Sequence, residues 1–323
     1  MAGTTVDFTN TINPHSVASE ISDRWTEWNN ARQTKIEEWK ELRNYIYATD
    51  TRTTANSKLP WTNSTTTPKL TQIADNLHAN YFSALFPQKR WFRFEANDDD
   101  SNTKAKRDVI QAYLENKIRQ SDFENTTSKL INDYIQYGNC FATVDFVRDY
   151  TVYEDGERTV NYLGPKLVRI SPFDICFNPL SPDFGSSPKI IRSIMTKGEV
   201  KRKIDETVDN AYMQEIFEKM LFNRSAASGT DIDVSKSQAF IADGFSSLQE
   251  YYESDYVELL TFYGDMYDSD TDTFHKNRII TVVDRSYVLT NEQNPSWLGK
   301  SPVFHAGWRD RPDNLYSMGP LDN

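Results

Sequence analysis

The clearest pattern of apolar and polar positions lies in the last third of the chain, in residues 256–268 (YVELLTFYGDMYD). Alternate residues here belong to two sets, which predicts a β-strand with two different faces. One set is Val257, Leu259, Thr261 and Tyr263, and the other is Glu258, Leu260 and Phe262. Residues 277–289 (NRIITVVDRSYVL) predict two further strands, joined by a tight turn near Asp284-Arg285-Ser286.

A period of 3.6 residues replaces this alternation near the beginning, where residues 16–48 predict one long helix. Its apolar face consists of Ile21, Trp25, Trp28, Ile36, Trp39, Leu42 and Ile46. This face packs either in the core of the chain itself or against a neighbouring subunit. Residues 1–15, which are polar, are expected to form a flexible arm.

The remaining elements follow from the same two periods and from turn residues. A helix is predicted to end before Pro87, and another to be closed by Gly138 in a left-handed conformation. The predicted helices are 68–85, 103–120, 124–137, 200–206, 209–222 and 245–253; the predicted strands are 91–94, 139–150, 159–163, 166–170 and 189–195; and the predicted loops are 154–157 and the mobile loop 223–239.

The order of these elements indicates the fold class. Most of the predicted helices precede the strands, instead of alternating with them one by one. Such segregation favours an α+β fold over a parallel α/β sheet.

Composition and charge exclude several classes of protein. The chain has 323 residues, 38% of them hydrophobic, which is enough for one large or two ordinary domains. Its net charge of −11 argues against a general nucleic-acid binder, which needs a basic surface. The charge is compatible with a surface that repels DNA, or with solubility alone. No run approaches the ~20 apolar residues of a membrane span.

The sequence offers no pattern of catalytic or metal-binding residues. The four histidines are scattered, and neither a phosphate-binding P-loop nor a G-x-S-x-G motif is present. Residues 268–272 (DSDTD) imitate the start of a calcium loop, but Thr273 and Ile279 stand where that loop needs Gly and Glu. Cys140 and Cys176 lie in apolar runs and are interpreted as buried thiols. We therefore expect no catalytic residues, no cofactor and no metal.

A basic group is the remaining candidate for binding chemistry. Lys197, Lys201, Arg202 and Lys203 lie near one predicted helix start, with Lys189 and Arg192 shortly before them. The group is either a solvated face or a contact with DNA or with an acidic protein surface. Without interleaved aromatic residues it is a weak indication of single-strand binding.

Two motifs suggest a family. The passage Trp308-Arg309-Asp310-Arg311-Pro312, followed by Tyr316 and Gly319-Pro320, resembles a W-R-x-x-P … Y-x-x-G-P passage of the portal (head-to-tail connector) proteins of tailed bacteriophages. The segment 171–184 is similar to a P-x-D-x-x-x-x-P passage of that family through Pro172, Asp174 and Pro179. The resemblance covers residues 125–323 and is strongest to the long portals of short-tailed phages.

This resemblance implies an architecture. It implies a wing-like α+β domain in residues 16–255, a β-containing clip-like region in 256–310, and in 311–323 a turn into a truncated channel (stem) helix. The rest of that helix and the crown would be missing. The residues expected to set the turn are Trp308, Arg309, Pro312, Tyr316, Gly319 and Pro320, with glycine at 319 because a sharp turn tolerates no Cβ there.

The resemblance also implies a function. A portal is a ring of twelve subunits at one capsid vertex of the virion, assembled in the host cytoplasm, through which double-stranded DNA passes without sequence-specific binding. Its partners are the major capsid and scaffold proteins, the large terminase and tail adaptor proteins. The resemblance implies no contact with a membrane. The alternatives are an acidic α+β virion or scaffold-interaction module that forms no DNA channel, and an enzyme that uses scattered carboxylates.

Overall fold

The computed structural model describes residues 14–47, 69–88, 91–95, 101–153, 158–178, 180–207, 210–227, 254–268, 273–296 and 299–322. The chain forms two compact units. The first unit comprises residues 1–33 and 173–301, and the second comprises residues 34–172 and 302–323. Each unit is therefore built from two separate segments of the chain.

The described elements are mixed helix and sheet, and every described strand pair is antiparallel, which is consistent with the predicted α+β class. The helices are α1 (Pro14–Ala31), α2 (Gln33–Ile46), α3 (Lys69–Leu85), α4 (Ser101–Gln120), α5 (Phe123–Tyr137), α6 (Lys197–Asp205) and α7 (Ala211–Ala227). The strands are β1 (Asn139–Val152), β2 (Arg158–Ile170), β3 (Ile175–Phe177), β4 (Lys189–Thr196), β5 (Tyr256–Asp268), β6 (Thr273–Val283), β7 (Tyr287–Gln293), β8 (Val303–Gly307), β9 (Arg309–Arg311) and β10 (Asn314–Met318).

The first unit is a five-stranded sheet in the order β3-β4-β5-β6-β7, covered on both faces by helices. The alternation predicted for β5 is confirmed, because Leu260 and Phe262 pack in the cluster that contains α1, whereas Val257 and Leu259 pack in the cluster that contains α6 and α7. Burial of apolar side chains on both faces explains why this strand has few polar positions.

The predicted turn between β6 and β7 is confirmed and carries two buried ion pairs. Asp284 and Arg285 have φ of 50° and 57°, as a tight hairpin turn requires. The Arg224 guanidinium donates to both oxygens of Asp284 at 2.6 and 2.7 Å. That of Arg285 donates to both oxygens of Glu258 at 2.8 and 3.0 Å. All four side chains are almost completely buried.

The single helix predicted for residues 16–48 is wrong, because the chain breaks at Arg32 between α1 and α2. The Arg32 side chain is buried, and its guanidinium donates to the carbonyl oxygens of Phe173 and Ile175, each at 2.6 Å. It also contacts the Asn29 side chain. These bonds hold the break in place, and the helices on either side of it belong to different units.

The second unit contains a three-stranded sheet in the order β2-β1-β8 and the two-stranded hairpin β9-β10. Strands 159–163 and 166–170, predicted as separate, are one strand, β2, which continues through Gly164 and Pro165. The core between the helices consists of Ile46, Ala74, Ile131, Ile135 and Leu321.

The strand predicted at 91–94 is not formed, because these residues have no ladder partner in the part of the chain that the structure describes. Trp91 instead stacks on Phe123, with ring centroids 5.8 Å apart, and meets Phe86 edge-on at 5.2 Å. The aromatic residues that suggested a strand therefore form an aromatic cluster.

Other predictions changed in extent or fall outside the described residues. The loop predicted from residue 223 begins later, because α7 continues to Ala227. The arm 1–13, the turn 154–157, the rest of the loop 223–239 and the helix 245–253 lie outside the described residues. Residues 319–322 form a turn and not a helix. The two units do not follow the contiguous ranges 16–255, 256–310 and 311–323, and the wing, clip and stem assignments stay predictions.

Candidate functional site

The C-terminal motif residues lie in the second unit, and some of them contact the C-terminal end of α5. Trp308 donates its backbone N–H to the carbonyl oxygen of Gly138 at 2.9 Å, and its indole N–H to the hydroxyl of Tyr81 at 3.2 Å. Tyr316 is buried and meets Trp39 edge-on, with centroids 6.0 Å apart. Arg309 and Pro312 are instead exposed on the hairpin β9-β10. The structure thus brings together Trp308, Tyr316 and Gly319, but not Arg309 and Pro312.

Gly138 and Gly319 approach each other so closely that backbone packs on backbone. Gly138 has φ of 67°, which confirms the predicted left-handed cap of α5. A Cβ on Gly138 would lie 2.4 Å from the Gly319 nitrogen, and a Cβ on Gly319 would lie 3.1 Å from the Gly138 nitrogen. Glycine at 319 therefore serves a close approach of two segments, because its φ is not in the left-handed region.

Asn139, the first residue of β1, is the polar centre of this junction. Its buried amide nitrogen donates to the carbonyl oxygens of Tyr137 and Ser317, both at 2.9 Å. Its oxygen Oδ1 accepts from the Ser317 backbone N–H at 2.9 Å and lies 3.0 Å from Nε2 of His305. Since Oδ1 can only accept, Nε2 of His305 carries the hydrogen in this bond.

His305 is held neutral by its surroundings. Its ring stacks on Phe141 with centroids 4.8 Å apart, and burial lowers its pKa to about 4, against a smaller opposite effect of Asp310. Asp310 accepts from the Ser317 hydroxyl at 2.8 Å. Neither Asn139 nor His305 was singled out from the sequence, because their importance depends on the pairing of β1 with β8 across 165 residues or so.

The turn after β10 holds the last described residues against helix α2. Asp322 accepts from the Gly319 N–H at 2.7 Å and pairs with Lys35 of α2 at 3.1 Å. Leu321, which lies between Gly319 and Asp322 in sequence, is buried in the core between the helices. The motif thus closes the second unit, and its predicted role in guiding a channel helix stays a prediction.

The basic group suggested by the sequence is not one surface. Lys189 is buried. Its ammonium group donates to the backbone carbonyl oxygen of Phe184 at 2.8 Å and also lies over the aromatic ring of Phe184. Burial lowers the pKa of Lys189 to about 8. Arg192 pairs with Asp174. Lys201, Arg202 and Lys203 of α6 are exposed, and Lys197 at the start of that helix is half-buried.

Two separate exposed apolar surfaces lie in the second unit. The helix surface consists of Val109, Ile110 and Tyr113 on α4. The sheet surface consists of Val144, Phe146, Leu163 and Phe304 on β1, β2 and β8.

The sheet surface and helix α4 lie on opposite faces of strand β2, as the alternation of side chains shows. The α4 side chain of Lys117 lies over the ring of Tyr162, so α4 covers the Tyr162 face of β2. Neighbouring residues of a strand point to opposite faces, so Leu163 points away from α4. The sequence predicted these residues as ordinary strand and helix positions and gave no sign that they are exposed.

The described ranges contain no group of residues that could support a metal site. No cluster of three or more His, Cys, Asp or Glu side chains could hold a metal ion there. The residues that imitate a calcium loop lie partly outside these ranges, and Thr273 and Ile279 belong to β6. Among the described helices none is long and apolar enough to cross a membrane.

The geometry therefore defines an α+β protein whose candidate site is a packed junction with exposed apolar surfaces. Residues 18–154 match the sequence model of a family described as bacteriophage head to tail connecting protein. The match confirms the predicted resemblance to phage portal or connector proteins. It contains α2 to α5, β1 and most of α1. It shares only residues 125–154 with the range 125–323 predicted for the resemblance, and it includes neither of the two motifs.

The family match indicates a structural role in connecting the phage head to the tail, and therefore a place in the virion. It indicates contact with components of the head and the tail. No match was found among the curated proteins with which the chain was compared.

Proposed function

We propose that this protein is a portal that assembles into a closed ring, with twelve subunits by resemblance, at one capsid vertex. In that position the ring is the conduit through which genome DNA is packaged and ejected. It also offers a platform to the terminase and later to tail adaptor proteins. The family match over residues 18–154 supports the connecting role.

The ring proposal rests on the two separate exposed apolar surfaces of the second unit. Phe146 and Phe304 on the sheet surface are 64% and 60% exposed, and Val109 on the helix surface is 70% exposed. Large apolar side chains grouped in this way are typical of interaction surfaces. A ring needs a front that binds a different back, and two separate surfaces meet this need.

Electrostatics supports passage of DNA without tight binding. The net charge of each subunit is −11, and the charges of all the subunits add in a ring. A predominantly acidic protein repels the phosphates of a duplex in general, so DNA is expected to slide. Capsid and scaffold proteins are the expected partners of the outer surface.

The second candidate is an acidic α+β virion or scaffold-interaction module. The same exposed surfaces would then bind a different protein, and no ring would form. The two proposals differ in one measurable property, which is self-assembly of the purified chain.

The test uses two variants, each of which loses one surface. Phe146→Ser/Phe304→Ser keeps the helix surface, and Val109→Ser/Ile110→Ser keeps the sheet surface. If the surfaces bind each other, neither variant forms rings, whereas a mixture of the two stops at a dimer that uses the intact surface of each. Electron microscopy of particles and analytical ultracentrifugation measure both results.

A matched control removes two exposed apolar side chains from the first unit, Leu180→Ser/Phe274→Ser, and should leave rings unchanged. Wild-type protein that stays monomeric would favour the interaction module. Rings from both surface variants would contradict the assigned surfaces.

A further inference from the structure

A cavity of about 480 Å³ lies in the second unit between the end of α2, α5 and β2. Its size falls in the range of ~300–1,000 Å³ that is common for small-molecule sites. Among the described residues that line it, each side chain carries a charged, amide or phenol group, and none is purely aliphatic. It consists of Arg43, Asn44, Tyr47, Lys129, Asn132, Asp133, Gln136, Tyr137 and Arg169.

Positive charge predominates in this cavity, although the chain as a whole is acidic. Arg43, Lys129 and Arg169 contribute three cations, against one carboxylate from Asp133. Asp133 is 3% exposed and accepts two bonds from the Arg169 guanidinium, one of them at 2.7 Å. The carboxylate is thus engaged at the wall, and its bidentate bonds fix the position of Arg169.

The other two cations, Arg43 and Lys129, differ from Arg169 within the described part of the chain. Among the described residues, neither Arg43 nor Lys129 forms an ion pair, and both are exposed at the edge of the cavity. Burial raises the pKa of the Tyr137 hydroxyl, and the nearby positive charges of Arg43 and Arg169 each partly oppose this rise. Cations from α2, α5 and β2 therefore converge on one volume.

Neutral donors complete the lining. The Gln136 amide donates to the Tyr47 hydroxyl at 3.0 Å, which leaves the hydroxyl hydrogen directed elsewhere. Asn44 and Asn132 also line the cavity. Donors that surround a volume from several elements suit an anion with oxygens in several directions, such as a phosphate group, better than a planar carboxylate.

We propose that this cavity binds a phosphate group, carried either by a small phosphorylated molecule or by the backbone of a nucleic acid. Arg43 and Lys129 supply the charge, and Arg169, held by Asp133, supplies a fixed donor at the wall. The site lies within one unit of one chain and does not depend on the proposed ring.

Isothermal titration calorimetry of the full-length chain tests this site at low salt. The probes are inorganic phosphate, metal-free adenosine triphosphate and a short DNA duplex. The test variant is Arg43→Gln/Lys129→Gln, and the control variant Lys40→Gln/Lys203→Gln removes the same charge from exposed positions outside the cavity. Circular dichroism verifies that both variants are folded.

Two results support the site and distinguish the source of the phosphate. The first result is that wild type binds phosphate or the triphosphate, and that the affinity falls at least about tenfold in the test variant but not in the control. This result indicates a small ligand, since the loss of one hydrogen bond to a charged group lowers an affinity by about that factor. The second result is that wild type binds only the duplex, and that the slope of log affinity against log salt falls by about two charges in the test variant but not in the control. This result indicates a nucleic-acid backbone. Absence of binding by all three probes, or equal weakening in both variants, would overturn the proposal.

Discussion

His305 is the residue whose chemistry is set most clearly by its surroundings. It is a histidine that stacks on Phe141, bonds to Asn139 and remains neutral because burial disfavours its charged form. Its role is to complete the polar centre of the second unit, and no feature of its own sequence neighbourhood reveals this.

The stability of the protein is therefore expected to depend on pH through His305. An unfolded histidine has a pKa near 6.5, and that of folded His305 is about 4. Between these values the unfolded chain binds more protons, so the free energy of unfolding falls as the pH is lowered from about 7 to 4. The total loss is about 2 kcal/mol after allowance for partial exposure of the ring.

Urea unfolding of wild type and His305→Gln across this range of pH measures the effect. The variant, which cannot be protonated, should lose this part of the pH dependence, whereas His78→Gln on α3 should keep it. An identical pH profile for wild type and His305→Gln would show that the buried ring does not control it.

Gly138 and Gly319 make a second prediction at the scale of the residue. Gly138→Ala places a side chain in left-handed backbone and 2.4 Å from the Gly319 nitrogen, so we expect it to cost at least about 2 kcal/mol of unfolding free energy. Gly319→Ala meets its nearest atom only at 3.1 Å and should cost about 1 kcal/mol or less. Urea titrations followed by circular dichroism compare them, and the reverse order would contradict the packing described.

At the scale of elements, the β6-β7 turn depends on charges buried beneath it. Glu258→Gln removes the carboxylate that the Arg285 guanidinium binds in a site that is 1% exposed, so we expect a loss of about 3–5 kcal/mol. Arg311→Gln breaks the exposed pair with Asp313, whose charges are screened by water, and should cost far less. Thermal unfolding of both variants gives the comparison, and similar small losses would mean that solvent reaches the buried pair.

Local periodicity predicted most elements because helices and hairpins form between near neighbours in sequence. The helix α5, the cap at Gly138, the two-sided strand β5 and the turn at Asp284 all follow from residues within a few positions. Each of these predictions rests on one local physical rule, and each is confirmed.

The break at Arg32 could not be predicted in this way. The apolar stripe continues from Trp25 to Trp39 without a glycine or proline between them, so it is typical of one helix. Trp25 nevertheless lies in the core of the first unit and Trp39 in that of the second. The carbonyl groups that Arg32 contacts lie more than 140 residues away, and periodicity carries no information on them.

The candidate site was predicted only in part for the same reason. Trp308, Tyr316 and Gly319 stood out because of the family motif, but their partners Gly138, Asn139 and Trp39 depend on long-range pairing. The cavity of α2, α5 and β2 likewise collects charges from three distant segments. Spacing along a sequence cannot reveal such a meeting.

At the scale of the whole molecule, each unit has its own apolar core. We expect Ile135→Ala to reduce hydrogen-exchange protection chiefly in the second unit, and Leu260→Ala to do so chiefly in the first, each by about 2–4 kcal/mol. Mass spectrometry of exchanged peptides assigns the loss to segments. Equal loss throughout the chain in both variants would mean that the units unfold as one.

The division of each unit between distant segments also has a consequence for the time at which the protein can fold on the ribosome. Strand β1 pairs with β8, and the whole of residues 173–301 must be translated between the end of β2 and the arrival of that partner. At ~5–20 residues per second this interval is on the order of ten seconds. The second unit can be completed only after the first has been synthesised, so a nascent chain would have no finished sheet surface to offer to a partner until nearly all of the described residues exist.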